Sequence, residues 1–448
     1  QKARASLGLR SDYWTATVGM IRDHFWWGVG WGNFGRFYPR YMLPTAYEKI
    51  QDPHNLFLET WACGGLFAAL ALVGTLAAFY YFWVRQVSQT PDEEPIAEPE
   101  MRWEFYWGGA AGLVLAFLLR AGDMGSGQIL TEGVLSVGRA IVWFAVFAVF
   151  TSIPSIGRSL VLAMGMGIAA LLCNLLISGG ISQPSVAQPL WIVTALALPV
   201  TATLRYNSLF AGLGLACSAV LALIFGLAVY EPLWRVDALV AEARRHYGDD
   251  ALPGWRNQVK GRWQAALQSQ NPRVIDAAYR DSAKYLKNFI IKPLERAAEI
   301  APGDAKLPSE LGLWYEEQWN LLPEIDEWGR KAVEMARKVQ MLDPDSRDGW
   351  VMESTLQLHR ADRAPKNADE HRRDAVHALQ EAIKRDPTEA GLHYDLAELL
   401  FALKKDDAGR KEAARALELS DLSATPGRRL ADPKVETLRK WLGLPSQH

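Results

Sequence analysis

The chain is 448 residues long, half hydrophobic, with 48 Lys plus Arg against 50 Asp plus Glu and a formal net charge of −2. Such a length suggests two or three folding units, and so even a balance leaves no basic surplus for recognising nucleic acid. A mean hydropathy of −0.04 averages two unlike parts: apolar runs dominate up to about residue 230, and acidic and basic residues crowd the remainder of the chain.

The sequence opens on Gln1 without a charged-plus-apolar leader, so no signal peptide is read, and a missing N-terminal membrane portion is expected. Residues 8–44 are rich in aromatics (Trp14, Phe25, Trp26, Trp27, Trp31, Phe34, Phe37, Tyr38, Tyr41), the composition of a segment at a membrane surface. Arg10, Arg22, Arg36 and Arg40 offer guanidinium forks to phosphate oxygens; anchoring to lipid headgroups accounts for them equally well. "GVGWGNF", with Gly28, Gly30 and Gly32, comes after no strand, so it reads as a tight loop that lets backbone pass closely rather than as a nucleotide fingerprint.

"DPHNLFLETWACGG" (Asp52 to Gly65) comes next. Asp52 suits an N-cap and Pro53 the first helical position, where its missing N–H costs nothing; His54 would then sit in the first turn. From Pro53 to Val84 a helix would reach about 48 Å, longer than the apolar thickness of a bilayer. It is therefore expected to protrude or to break at Gly64-Gly65. A helix N-terminus attracts an anion such as pyrophosphate and favours a neutral imidazole able to take a proton. Asn55 and Glu59, four apart, share a helix face and are placed to orient an acceptor or a base. The plainer reading is a polar interfacial histidine, and local spacing leaves both open.

Membrane spans need about 20 apolar residues each. The candidates are Gly64–Val84, Phe105–Leu119, Leu135–Thr151, Leu160–Ile177, Leu190–Leu204 and Leu209–Val229. Basic residues collect at Arg85, Arg102, Arg158 and Arg205, whereas "SGGISQPSVAQ" carries none. The positive-inside rule then puts residues 1–60 and everything after about 231 outside the cytoplasm. The Pro-rich acidic stretch within 86–102 reads as a disordered cytoplasmic linker. Cys63, Cys173 and Cys217 lie in or beside apolar runs, giving neither a disulfide framework nor zinc spacing.

Beyond about residue 237 the pattern is helical and repeats itself. "ERAAEIAPGD" (295–304), "ARKVQMLDPD" (336–345) and "QEAIKRDPTE" (380–389) each end an amphipathic helix with a proline turn, and "ARALELSD" (414–421) is a fourth copy. Ala416 lies 34 residues after Ala382. With small Ala residues at helix crossings, this resembles tetratricopeptide repeats, whose stacked helix pairs leave a concave binding face. The earlier spacings of 42 and 43 residues imply insertions or degenerate repeats; a plain helical domain is the alternative.

A broader resemblance rests on an arginine ahead of a Trp-containing helix, then "MIRDHFWWGVGWGNFGRFYP", a variable loop and "DPHNLFLETWACGGL". Together they resemble the large periplasmic loop of the O-antigen ligase and polymerase family, which reads D-H-P-x-x-G-x-G-x-G-N-F and then H-N-x-x-L-E; Phe25 stands where proline is common. The resemblance covers residues 8–70. It implies an all-α fold: a polytopic transmembrane helical bundle, glycosyltransferase-C-like with its first spans missing, continued here by an α-solenoid of TPR-like helix pairs. The expected domains are a periplasmic loop (1–63), about six transmembrane helices (64–230) and a periplasmic helical domain (231–448) in a multi-pass protein of the bacterial inner membrane.

The same resemblance implies a metal- and cofactor-independent enzyme. It moves a glycan from undecaprenyl pyrophosphate to a hydroxyl of a lipid, a glycan or a protein. His54 matches the loop histidine that acts on the acceptor, and Arg10 the arginine that neutralises the leaving diphosphate. Arg36, Arg40, Asn55 and Glu59 complete the expected substrate contacts. Membrane lipids and proteins bound by the repeats are the further expected partners. The rival readings are a membrane-anchored repeat scaffold of a polysaccharide machine and, among enzymes, a polymerase or O-linked protein glycosyltransferase.

Overall fold

The computed structural model describes residues 2–89, 158–176, 220, 223–224, 226–248, 251–423 and 425–445. Among these, all regular structure is helical. The chain divides into two compact units, one built from Gln1–Leu70 together with Leu239–His448 and the other from Ala71–Ala238.

In the first unit, α1 (Lys2–Asp23) and α2 (Phe34–Tyr41) pack against the start of α3 (Leu56–Gln89). Tyr13, Ala16 and Met20 recur at helical spacing on α1 and close a small core with Phe34 and Tyr38 of α2 and Ala62 and Cys63 of α3. That periodicity, three to four residues apart, fixes which stripe of α1 turns inward.

The second unit holds the rest of α3 and α4 (Arg158–Leu175). Leu56–Arg85 is long and apolar enough to cross a membrane, with only 22% of its apolar window buried among the described residues. Phe67, Leu70, Val73, Tyr81, Phe82 and Val84 are all at least half exposed, an apolar surface that a soluble core helix would cover. α4 is apolar and touches α3 where Gly165 meets the ring of Trp83, so tightly that a Cβ would collide with it. Phe105–Leu119, Leu135–Thr151, Leu190–Leu204 and most of Leu209–Val229 lie outside the described residues, so the six-span bundle rests on sequence alone. α3 continues to Gln89, four residues into the expected linker.

The C-terminal helices return to the first unit. After α5 (Glu231–Arg244), α6 (Ala251–Gln268), α7 (Pro272–Leu286) and α8 (Lys292–Ile300) come three hairpins: α9 (Lys306–Leu321) with α10 (Asp326–Leu342), α11 (Asp348–Arg363) with α12 (Ala368–Arg385), and α13 (Ala390–Ala402) with α14 (Asp406–Leu422). Trp255, Trp314 and Trp319 anchor the first core with Leu286, Ile290 and Leu294. Ala382 and Ala416 are fully buried, the small residues at crossings that the repeat pattern requires. α15 (Asp432–Leu442) closes the array, stacking Trp441 on Tyr394 at 5.5 Å, as terminal repeats must be capped.

The hairpins start at Lys306, Asp348 and Ala390, 42 residues apart each time. Sequence spacing suggests insertions. The turns are instead short, three to five residues, and the extra length lies in helices of 16 to 18 residues.

A regular period brings equivalent turns to one side of a solenoid, and here they meet the N-terminal loop. Lys49 Nζ donates to Asp386 Oδ2 at 2.7 Å and Glu389 Oε2 at 2.9 Å, and Arg347 Nη1 reaches the same two oxygens at 2.8 and 3.1 Å. Arg428 donates to the Ala46 carbonyl at 2.7 Å, and the Thr425 hydroxyl donates to that of Tyr47. Arg36 pairs with Asp343 at 3.5 Å and Arg40 with Asp345 at 3.2 Å. The sequence by itself keeps residues 1–63 and 231–448 apart; the fold clasps them together.

Burial opposes the charge on Glu389, but Lys49 and Arg347 outweigh it and hold its carboxyl below the ordinary value. A carboxyl depressed in the folded state adds stability above its unfolded pKa and loses it as pH falls through the folded one. Acidification below pH about 4 should therefore loosen the clasp. Lys49→Met should cost about 2 kcal/mol, leaving buried Asp386 with one cation fewer. Both effects are read as new protease cleavage between residues 42 and 52 while the repeat helices stay protected.

Candidate functional site

The turn ahead of α3 differs from the one its sequence suggests. His54 takes a left-handed conformation with φ +53°, so no helix can run through it, and α3 begins at Leu56. Asn55 is the cap: its Oδ1 accepts the N–H groups of Phe57 and Leu58, both at 3.0 Å. Two of the helix's open N–H groups are thus taken by the chain itself. Asp52 Oδ1 instead closes an Asx turn on the His54 N–H at 2.8 Å, the local bond that favours Asp in turns.

The same oxygen lies 2.8 Å from His54 Nδ1. A carboxylate only accepts, so an Nδ1–H turned to that oxygen would leave the lone pair of the neutral ring on Nε2. Asp52 and His54 form a close carboxylate–imidazole dyad that the turn brings together. The imidazole side chain is 37% exposed. The Tyr13 ring meets it edge-on at 6.1 Å, and the Trp14 indole N–H donates to the Pro53 carbonyl at 3.0 Å. Burial and the neighbouring Glu48 carboxylate push the Tyr13 hydroxyl up to about 12, so it keeps its proton and donates a hydrogen bond to Glu48 Oε1 at 3.3 Å.

Arg10 lies on α1 three and four residues before Tyr13 and Trp14. This spacing puts it on the helix face that meets the 52–54 turn. Glu59 is buried one turn into α3, and its Oε2 has no hydrogen-bond partner among the described residues. A buried carboxyl oxygen left open is a group that a bound hydroxyl can satisfy. Arg36 and Arg40 point the other way, onto Asp343 and Asp345 of the repeat domain.

The glycine loop explains how α3 can bend beside this turn. Gly65 has φ +73° and ψ −175° and breaks the helix. The break frees carbonyls, and the loop supplies their donors: Val29 N–H bonds Ala62 O and Gly30 N–H bonds Cys63 O, both at 2.8 Å. In return Leu66 N–H donates to Phe25 O at 2.9 Å. Such close passage forbids side chains, since a Cβ on Gly28 would strike the Cys63 and Ala62 carbonyls and one on Gly65 the Trp26 carbonyl. Trp26, Trp27 and Trp31 project from this loop, all more than half exposed, and Trp27 packs on Phe67 at 5.5 Å. An aromatic cluster at the start of an apolar helix is the arrangement of a membrane interface.

Residues 1–73 match the O-antigen ligase family. The matched stretch holds Arg10, the glycine loop, the Asp52–His54 dyad and the helix break; the repeat domain lies beyond it. No curated protein matches the chain. Among solved structures, the MamA protein is similar at 14% identity over 38% of this chain and 83% of its own, with a TM-score of 0.26. A thermophilic TPR protein of Thermus thermophilus is similar at 17% identity over 41% and 83%, also with a TM-score of 0.26.

The sequence singles out His54, Arg10, Asn55 and Glu59 but does not reveal Asp52 as the imidazole's partner. The D-x-H spacing is the available signal, and it reads equally well as a helix cap. Gly28→Ala should disrupt the loop and cut the level of folded protein. Gly32→Ala meets nothing within 4 Å at φ +81° and should cost only about 1–2 kcal/mol. Comparing thermal unfolding of the two variants checks this.

Proposed function

We propose that the chain is part of a membrane glycosyltransferase of the O-antigen ligase type, which moves a glycan from undecaprenyl pyrophosphate to an acceptor hydroxyl. The observation that carries this is the close Asp52–His54 dyad, with a partly exposed imidazole, within the stretch that matches the family. The acceptor hydroxyl gives its proton to His54 Nε2 as its oxygen bonds to the anomeric carbon. The bond from that carbon to the pyrophosphate oxygen breaks with its electron pair, which predicts inversion. Asp52 steadies the imidazolium formed. Arg10 balances the charge gathering on the diphosphate, and Glu59 takes a hydroxyl of acceptor or donor on its open oxygen. Asn55 holds the turn by capping α3. In this reading, Arg36 and Arg40 support the loop from outside the reacting centre.

The apolar α3 and its exposed tryptophans support a site at the membrane surface, on the periplasmic side of a bacterial inner membrane. The clasp favours an enzyme over a scaffold, because the repeat turns are occupied in holding the loop that bears His54.

His54→Asn keeps a residue that tolerates left-handed backbone and removes the base. It should lower transfer by about 10²–10⁴-fold while the protein accumulates in membranes at the wild-type level, and Arg10→Ala should do likewise. Normal transfer by a well-expressed His54→Asn would refute the base assignment. In a deletion strain, surface glycan lost altogether with lipid-linked chains retained indicates a ligase, whereas single-unit chains indicate a polymerase.

A further inference from the structure

The clasp borders a half-open cavity of about 580 Å³ between the α2 loop and the turns ahead of α9 and α11, within the usual range of small-ligand sites. Five basic and five acidic side chains line it, among them Arg36, Lys49, Lys306, Asp304 and Asp348. Its walls are set before any ligand arrives: Lys49 and Arg347 are both locked onto Asp386 and Glu389. Gln51 also lines it, and the next residue is Asp52, whose carboxylate holds His54.

That lining decides what fits. Lys49 and Arg347 are taken by Asp386 and Glu389, and Arg36 by Asp343, so a diphosphate would meet few uncommitted cations beside the carboxylates of Asp304, Glu310 and Asp348, and these walls disfavour the lipid-linked donor. A lipid chain would find charge on most sides. Sugar hydroxyls both donate and accept, so a glycan can give hydrogens to the carboxylates and take them from guanidinium and ammonium groups. We propose that this cavity binds the acceptor as an uncharged, hydroxyl-rich glycan segment, one residue along the chain from the dyad. The repeat domain then forms a wall of the acceptor site. The proposal rests on the transferase reading and names the acceptor's chemistry and place within it.

The test uses the full chain in detergent, with donor lipid and acceptor glycan prepared from the source envelope. Ser309→Trp fills the cavity from the half-buried wall of α9, and Lys306→Ala and Asp348→Asn remove exposed groups that bear little of the fold. Each should raise the acceptor KM about tenfold, with the donor KM and the kcat at saturating acceptor unchanged. Met341→Trp, at an exposed position of α10 outside the cavity, should change neither. Calorimetry of acceptor binding without donor reads the site independently of catalysis: binding should survive His54→Asn and be lost in Ser309→Trp. An unchanged acceptor KM in all three variants, a raised donor KM instead, or acceptor binding that persists in Ser309→Trp would overturn the proposal. So would a uronate-bearing oligosaccharide that binds more tightly than its neutral counterpart. A wild-type protein made at its full natural length that binds acceptor yet transfers nothing would refute the transferase reading and leave the acceptor site standing.

Discussion

Two cations sharing two carboxylates hold this molecule's N-terminal loop in place. Asp386 is fully buried, and a carboxylate so placed is tolerable only when paired. Lys49 arrives from the loop and Arg347 from the repeat domain, and both meet Asp386 and Glu389. Lys49 and Asp386 therefore join chain segments 337 residues apart in sequence. Ala46 and Ile50, also buried, add the apolar contact that ion pairs alone lack. Without this clasp the segment from Met42 to Gln51 would be held only through Met42, Ala46 and Ile50 in the N-terminal core, and a loosely held loop rarely keeps a group in register.

A second constraint acts at the other end of the same segment. α3 has to leave a compact unit and continue as an exposed apolar helix, and it breaks at Gly65 in between. A break inside a helix strands backbone groups, which is costly in apolar surroundings. The loop of Gly28 and Gly30 removes the cost by lending its amides to Ala62 and Cys63. The residues that allow the bend also pin the loop, so the turn bearing His54 is held from both sides: by the clasp before it and by the glycine loop against the helix after it.

These two constraints give the repeat domain a role that its sequence does not announce. Stacked helix pairs commonly present a groove to other proteins. In this chain the prolyl turns at 343–345 and 386–389 face its own loop, and Asp343, Asp345, Asp386 and Glu389 are met by Arg36, Arg40 and Lys49. The arginines that look like phosphate ligands on an isolated loop have carboxylate partners once the loop is docked.

Local chemistry was enough for much of this. Alanines at crossings and prolines at turns specify stacked helices whatever lies beside them, and Gly28, Gly30 and Gly65 announce close backbone passage because nothing larger fits. An apolar run longer than a bilayer is thick, with two glycines near its start, signals both the long helix and its break. His54 stands out by its place beside that run, and Arg10 by the family resemblance. Tertiary structure decided the rest. Whether Asp52 caps a helix or holds an imidazole depends on a left-handed residue two positions on, since one dihedral angle redirects the carboxylate. Whether Arg36 and Lys49 reach for a ligand or for the protein depends on partners some 300 residues away, and no local pattern encodes a distance of that kind. The repeat length, too, is visible as a number, but only the folded helices show that the added residues lengthen them by about a turn each and leave the turns short.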